Sequence, residues 1–237
     1  MIVIGGKNVY GESIGILMLD TKFPRIPGDI GNAQTFPFPV RYRRVSGATS
    51  ARVVKQADPA LITPFIEAAK ELEQEGVCAI TTSCGFLAIF HKHLAQAVDI
   101  PVFSSSLLQV PLAAAMIGRD KKIGIMTASK PHLTPLHFKG VGAEEVNKVI
   151  YGMEEEEEFT KVFIEGKQEM DVAKVEREMV KVAQTMIEEN PDVGAIVFEC
   201  TNMPPFRYAV QKAVQRPVFD IVTLTNYVYD SIKHFVK

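Results

Sequence analysis

Two cysteines, Cys84 and Cys200, stand 116 residues apart, and each closes an apolar run. They lie in the segments Thr81-Thr82-Ser83-Cys84-Gly85 and Phe198-Glu199-Cys200-Thr201-Asn202. Two thiols flanking one substrate carbon suit two-base proton transfer. One, as thiolate, removes a proton; the other, as thiol, delivers one to the opposite face and inverts the centre. A free cysteine with a pKa of about 8.5 is only a few per cent thiolate at pH 7, so such a site must stabilise one anion. Each cysteine precedes a predicted helix whose first amides, that of Gly85 among them, can do this. The same amides can hold a substrate carboxylate, helped by the hydroxyls of Thr81, Thr82, Ser83 and Thr201 and the amide of Asn202. They would also stabilise the enolate-like anion that proton abstraction leaves. Glu199 can supply a carboxylate to this site or make an exposed ion pair.

A single buried cysteine is most often a small apolar core residue. The matched positions of these two in an internal repeat set them apart. A shift of 116 residues lays Ala79-Ile80 on Ala195-Ile196 and Cys84 on Cys200. It also lays Phe90 on Phe206 and Pro101-Val102-Phe103 on Pro217-Val218-Phe219. Ile14-Gly15-Ile16 echoes Ile123-Gly124-Ile125 at a slightly different offset. Cys78 serves as an internal control: it falls inside an apolar run, aligns with Gly194 and reads as core packing.

The elements that must position the thiols alternate between two periods. Uninterrupted Ile- and Val-rich runs at Ser13–Leu19, Val77–Thr82, Lys122–Thr127 and Val193–Phe198 predict strands covered on both faces. Amphipathic stretches predict helices over Pro59–Glu75, over Asp171–Glu189 with an Asp N-cap, and over roughly Val222–Phe235. Alternation of this kind is the pattern of α/β folds with parallel sheets. The expected architecture is two pseudo-symmetric Rossmann-like lobes with the site in the cleft between them, where strand carboxyl ends converge. Residues 1–112 with 220–237 form the first lobe, its final helix returning to it, and 113–219 form the second.

Bulk composition narrows the function. The 237 residues are 47% hydrophobic and 23% charged with net charge −2, which excludes a disordered chain and argues against a nucleic-acid partner. The densest basic stretch, Arg41-Tyr42-Arg43-Arg44, reads as the solvated face of a strand. The run Glu154–Glu158 reads as an exposed helix start. No apolar run approaches the ~20 residues of a membrane span, and the opening MIVIGGKNVYGESIG lacks the parts of a signal peptide. Three cysteines without a disulfide framework fit a reducing cytoplasm. No Cys/His cluster reads as a metal site, and no GxGxxG follows a strand, so no metal and no nucleotide cofactor is expected.

The two-lobe repeat with paired cysteines resembles the cofactor-independent aspartate/glutamate racemase superfamily, which also includes hydantoin racemases, maleate isomerases and arylmalonate decarboxylases. The resemblance covers essentially the whole chain. It is strongest at Glu199-Cys200-Thr201-Asn202-Met203-Pro204, similar to the family's second-cysteine motif Cys-Thr-x-x-Pro. It implies that Cys84 and Cys200 are the acid/base pair, that Thr201 contacts a carboxylate, and that the chain self-associates. Two departures bear on the substrate. Gly85-Phe86-Leu87 follows the first cysteine where amino-acid racemases carry Asn-Thr, and Asn202 stands where they carry His or Glu.

A Gly- and Pro-rich loop, Thr21–Asn32, follows the first strand run and belongs near the same cleft. Its Arg25 or Lys22 can meet a second carboxylate, or the loop can be ordinary solvated surface. Thr127 and Ser129, at the end of the strand that opens the second lobe, are further candidates for anion contact. The leading expectation is a racemase or epimerase acting beside the carboxylate of an amino acid or related compound. Decarboxylation or cis–trans isomerisation of a small dicarboxylate, and non-catalytic binding of a small carboxylate, are the alternatives.

Overall fold

The uninterrupted apolar runs become the inner strands of two sheets. The computed structural model describes residues 5–6 and 9–234. Phe235, named above as a helix end, and the apolar opening residues 1–4 lie outside them. In the first sheet β1 (Ile14–Met18) is flanked by β2 (Val40–Arg44) and β3 (Ala79–Thr82), with β4 (Val102–Phe103) beside β3. In the second, β5 (Lys122–Thr127) is flanked by β6 (Lys148–Gly152) and β7 (Val193–Phe198), with β8 (Val218–Phe219) beside β7. All six pairings are parallel. The repeat holds residue by residue. Ile80 pairs with Val102 and Thr81 with Phe103, and 116 residues later Ile196 pairs with Val218 and Val197 with Phe219.

Helices cover the sheets where their apolar stripes require it. In the first lobe α1 (Ile62–Glu75) follows a 3-10 turn at Pro59–Leu61 capped by Asp58, and ends at Gly76 in the left-handed region. The shorter α2 (His91–Ala97) and α3 (Gln109–Met116) complete that half. In the second lobe α4 (Pro135–Gly140) and the single turn α5 (Glu157–Phe159) precede α6 (Val172–Glu189). The Asp171 side chain accepts from Lys174 N at 2.9 Å and starts α6, satisfying an orphan amide. After α7 (Arg207–Val214), α8 (Ile221–Ile232) buries Ile221, Val222, Leu224 and Ile232 against Ile14, Ile16, Ala79 and Phe103 of the first sheet. Each such side chain contributes about 1.5–3 kcal/mol when fully buried.

Two expectations about charge are corrected. The Arg41–Arg44 stretch is β2, but it is no freely solvated face. Arg41 pairs with Glu12 and Glu75, Arg43 with Glu71 and Glu75, and Arg44 with Asp20, so acids from neighbouring segments neutralise it. The Glu154–Glu158 run does start a helix, yet Glu156 and Glu158 are buried. Lys181 pairs with Glu156 at 2.7 Å, while Glu158 accepts from Asp171 N at 2.9 Å and pairs with Lys167. Lys181 within α6 and the segment leading into that helix supply partners that local sequence does not reveal.

Candidate active site

Both cysteines sit where a central strand ends and the chain turns. After β3 the backbone stays extended through Cys84 (φ −153°, ψ 121°) and then coils into the 3-10 turn Gly85–Phe90. After β7, Glu199 and Cys200 lead to the 3-10 turn Pro204–Phe206. The two thiols line one cavity between the lobes. Ser83, Gly85, Thr201, Asn202, Arg25 and Glu199 line it as well, and Leu19, Phe23, Phe86, Phe163 and Ile164 form its apolar wall. Free space at its centre is about 20 Å³, the volume of one water, so a substrate enters only when the wall parts.

Hydrogen bonds tie the two lobes together across the cleft. Thr201 Oγ1 donates to the Ser83 carbonyl at 2.6 Å, and Ser106 Oγ donates to the Phe198 carbonyl. Asn202 Nδ2 donates to Asp29 Oδ2 at 2.7 Å. Asp29 belongs to the Gly- and Pro-rich loop and is ordered in turn by Arg25 at 2.7 Å and by Gly31 N at 2.7 Å. At the mouth, Phe23 of this loop meets Phe163 edge-to-face, centroids 5.3 Å apart. Phe163 lies on a π-helical turn, Thr160–Ile164, whose lead-in is fixed by the buried carboxylate of Glu178. That carboxylate accepts from Glu158 N and Phe159 N at 2.9 and 2.8 Å.

The thiols have unlike surroundings. Burial pushes the Cys84 thiol up and a charge on Glu199 would push it further. Against this, the backbone amides of Phe86 and Leu87 in the turn that follows, together with the Arg25 guanidinium, favour the anion. Cys200 is also raised by burial and by Glu199, but only the Asn202 N–H opposes this, and Asp29 and Cys84 add repulsion. The network fixes the Asn202 amide with Nδ2 toward Asp29, so Oδ1 faces the Cys200 sulfur at 3.5 Å and accepts its S–H. Both thiols are therefore raised, because burial outweighs the turn amides that the sequence suggested would lower one of them, and more groups favour the anion at Cys84 than at Cys200.

The residues singled out in the sequence fall into two groups. Cys84, Cys200, Ser83, Gly85, Thr201, Asn202 and Arg25 meet at the cavity. Thr82, Thr127 and Ser129 do not line it. Thr82 Oγ1 donates to the Ser104 carbonyl at 2.7 Å, Thr127 Oγ1 to Glu199 Oε2 at 2.7 Å, and Ser129 Oγ is paired with His132 Nδ1 at 2.8 Å. Arg25 is engaged by Asp29, by Thr21 Oγ1 at 3.0 Å and by the Phe23 ring beneath it. Lys22 is not in the lining. Glu199 is fully buried and makes no ion pair, which corrects the exposed alternative. Burial raises its carboxyl to about 8, against the hydrogen bond from Thr127 and the Ala128 N–H. Sequence reasoning missed Asp29, Phe86 and Phe163. Asp29 follows the same Pro-Gly pair that drew attention to Arg25, whereas Phe163 carries no local signal. Among the described residues no three His, Cys, Asp or Glu side chains are grouped to hold a metal ion, and no helix is long and apolar enough to cross a membrane.

Comparisons with known proteins converge on this architecture. Residues 43–225 match the family described as Asp/Glu/Hydantoin racemase. A dimethylsulfoniopropionate lyase of Durusdinium sp. clade D is 34% identical over 227 residues, covering 93% of this chain and 75% of its own length. Dimethylsulfoniopropionate lyase 7 of Emiliania huxleyi is 34% identical over 224 residues, and there the match spans 90% of this chain but 65% of the relative. Among solved structures, a glutamate racemase of Bacillus anthracis superposes with a TM-score of 0.60 at 15% identity, covering 93% of this chain and 82% of the other. An arylmalonate decarboxylase variant superposes with a TM-score of 0.63 at 12% identity, covering 94% and 95%. At these identities the two structures speak for the fold alone.

Proposed function

The chain belongs to the Asp/Glu/hydantoin racemase family, and from that premise we propose that it is a lyase. It removes the proton beside a small substrate's carboxylate and expels a leaving group from the next carbon. The observation that carries this reading is the unequal thiol pair in one closed cavity. The Cys84 sulfur, whose anion the Phe86 and Leu87 amides and Arg25 favour, is the base. Its electron pair takes the proton, the C–H electrons form the new double bond, and the bond to the leaving group breaks with its electrons departing on that group. Cys84 is left as a thiol and returns its proton to solvent when the cavity opens.

Two further features support elimination. A racemase that works in both directions needs each thiol to serve as base in turn. Here Asn202 Oδ1 holds the Cys200 proton, which favours chemistry in one direction. The apolar wall of Phe23, Phe86 and Phe163 suits a neutral, poorly hydrated leaving group, and the relatives named as dimethylsulfoniopropionate lyases act on a propionate carrying such a group as a sulfonium. Aromatic faces also attract the sulfonium charge before it departs.

The second reading, racemisation, is favoured by one observation: a thiol also stands on the opposite lobe, which elimination of a neutral group does not need. Proton NMR in deuterated buffer separates the two. The substrates are dimethylsulfoniopropionate, aspartate, glutamate, hydantoins and substituted malonates. Olefinic acid with released dimethyl sulfide supports the lyase. Deuterium at the α-carbon of an amino acid or hydantoin without olefin establishes racemisation instead, and carbon dioxide from a malonate establishes decarboxylation.

A further inference from the structure

The buried carboxyl of Glu199 takes no part in the proton transfer described above, and its two oxygens are treated differently by the fold. Oε2 accepts from Thr127 Oγ1 at 2.7 Å. Oε1 is buried without a hydrogen-bond partner, and Glu199 lines the same cavity as the two thiols. The chain makes room for it. A Cβ on Gly85 would fall on Glu199 Oε1 and on the Glu199 carbonyl oxygen, so the residue after Cys84 has no side chain. An orphaned polar atom in such a place costs free energy unless something meets it. The cations and acids that face it are few. Cys84 lies on the β3 side and Cys200 follows in the chain, while Arg25 and Asp29 of the loop are already paired with each other. No free cation in the lining is left for a substrate carboxylate.

From this we infer that Glu199, in its protonated form, donates a hydrogen bond from Oε1 to a carboxylate oxygen of the substrate and to the enediolate that develops there. The inference rests on the proton-abstraction reading and adds to it the group that receives the negative charge. The proton stays on Glu199 throughout. Only the substrate's charge moves, onto the oxygen that the carboxyl contacts, as for other buried neutral acids that serve as oxyanion donors. A neutral Glu199 also spares both cysteines the repulsion of a second buried anion, and burial keeps it neutral below a pH of about 8.

The test joins infrared spectroscopy to kinetics. In Glu199→Gln the amide oxygen takes the place of Oε2 beside Thr127 and the NH2 takes the place of Oε1, so a donor is retained. Wild-type protein minus Glu199→Gln shows a protonated-carboxyl C=O band at pH 7 that fades above about pH 8. The band shifts when propionate is added as an unreactive probe. Turnover of Glu199→Gln stays within about threefold of wild type and no longer falls above pH 8, while Glu199→Ala loses about 10²-fold, the effect of removing one oxyanion donor. Absence of the band at pH 7, or Glu199→Gln as impaired as a folded Glu199→Ala, overturns the inference. A band that shifts with propionate in a protein that neither eliminates nor exchanges any α-proton overturns the reaction reading alone and leaves Glu199 as a carboxylate donor.

Discussion

The two lobes agree in strand order and in the register of their inner pairs, yet they part company at the residue after each cysteine. In the first lobe Gly85 opens the turn, and the amides of Phe86 and Leu87 with the Arg25 guanidinium favour a Cys84 anion. In the second, Thr201 stands there, its hydroxyl is committed to the Ser83 carbonyl at 2.6 Å, and at Cys200 the Asn202 amide is opposed by Asp29 and Cys84. The repeat supplies two equivalent strand ends, and a few side chains at those ends give the two sulfurs different surroundings. Symmetry of scaffold therefore does not carry symmetry of chemistry. On the elimination proposed above, that inequality is what favours a reaction that runs one way.

The comparison is broken most severely at the sulfurs. Cys84→Ser lowers turnover at least about 10³-fold, some 4 kcal/mol in the barrier, whereas Cys200→Ser lowers it by about tenfold. Steady-state rates of the two variants check this, and equal losses restore the symmetric racemase reading. Next in size is a stability effect. Because the Glu199 carboxyl is raised, the folded protein binds its proton more tightly than the unfolded chain does. The stability this lends is full below the ordinary carboxylate range and is lost as pH rises toward about 8. Glu199→Gln, which has no proton to lose, is thus more stable than wild type at pH 7 by on the order of 3 kcal/mol, with the gap closing below pH 5. Urea midpoints across pH 5–8 measure it.

Gly85→Ala sharpens the same contrast by placing a methyl group where Glu199 stands. Overpacking against a backbone carbonyl lowers stability by about 2 kcal/mol, read from thermal melting. The smallest effect is at the clasp. Asn202→Ala frees the Cys200 proton and leaves Asp29 short of a donor, at a cost of about 1–2 kcal/mol. It raises KM more than it lowers kcat, since the loop that bears Arg25 and Phe23 loses its tie to the opposite lobe.

Much of this frame is written locally. β5 and β7 occupy the runs Lys122–Thr127 and Val193–Phe198, because an unbroken apolar stretch is the signature of a strand buried on both faces. Asp171 marks the start of α6, and the 116-residue shift reproduces the pairing of Ile80 with Val102 in that of Ile196 with Val218. β6 escaped notice because its residues are half-buried and show no clean period. The π-helical turn that delivers Phe163 was equally illegible, since what fixes it is Glu178, a residue of α6 well downstream. At the site, the strand-end segments gave away the cysteines, Ser83 and Thr201. The surroundings of Glu199 depend on which lobe faces which, and a neighbour's charge in sequence says nothing of that.

The central claim is that Cys84 and Cys200 differ as acids although the fold places them alike. Alkylation by iodoacetamide across a pH series, with each cysteine followed by peptide mass spectrometry, measures it without a substrate. The apparent pKa, taken from the midpoint of each profile, is insensitive to how far the cavity admits the reagent. The account predicts a lower midpoint for Cys84 than for Cys200. Coincident midpoints, or a lower one at Cys200, contradict it.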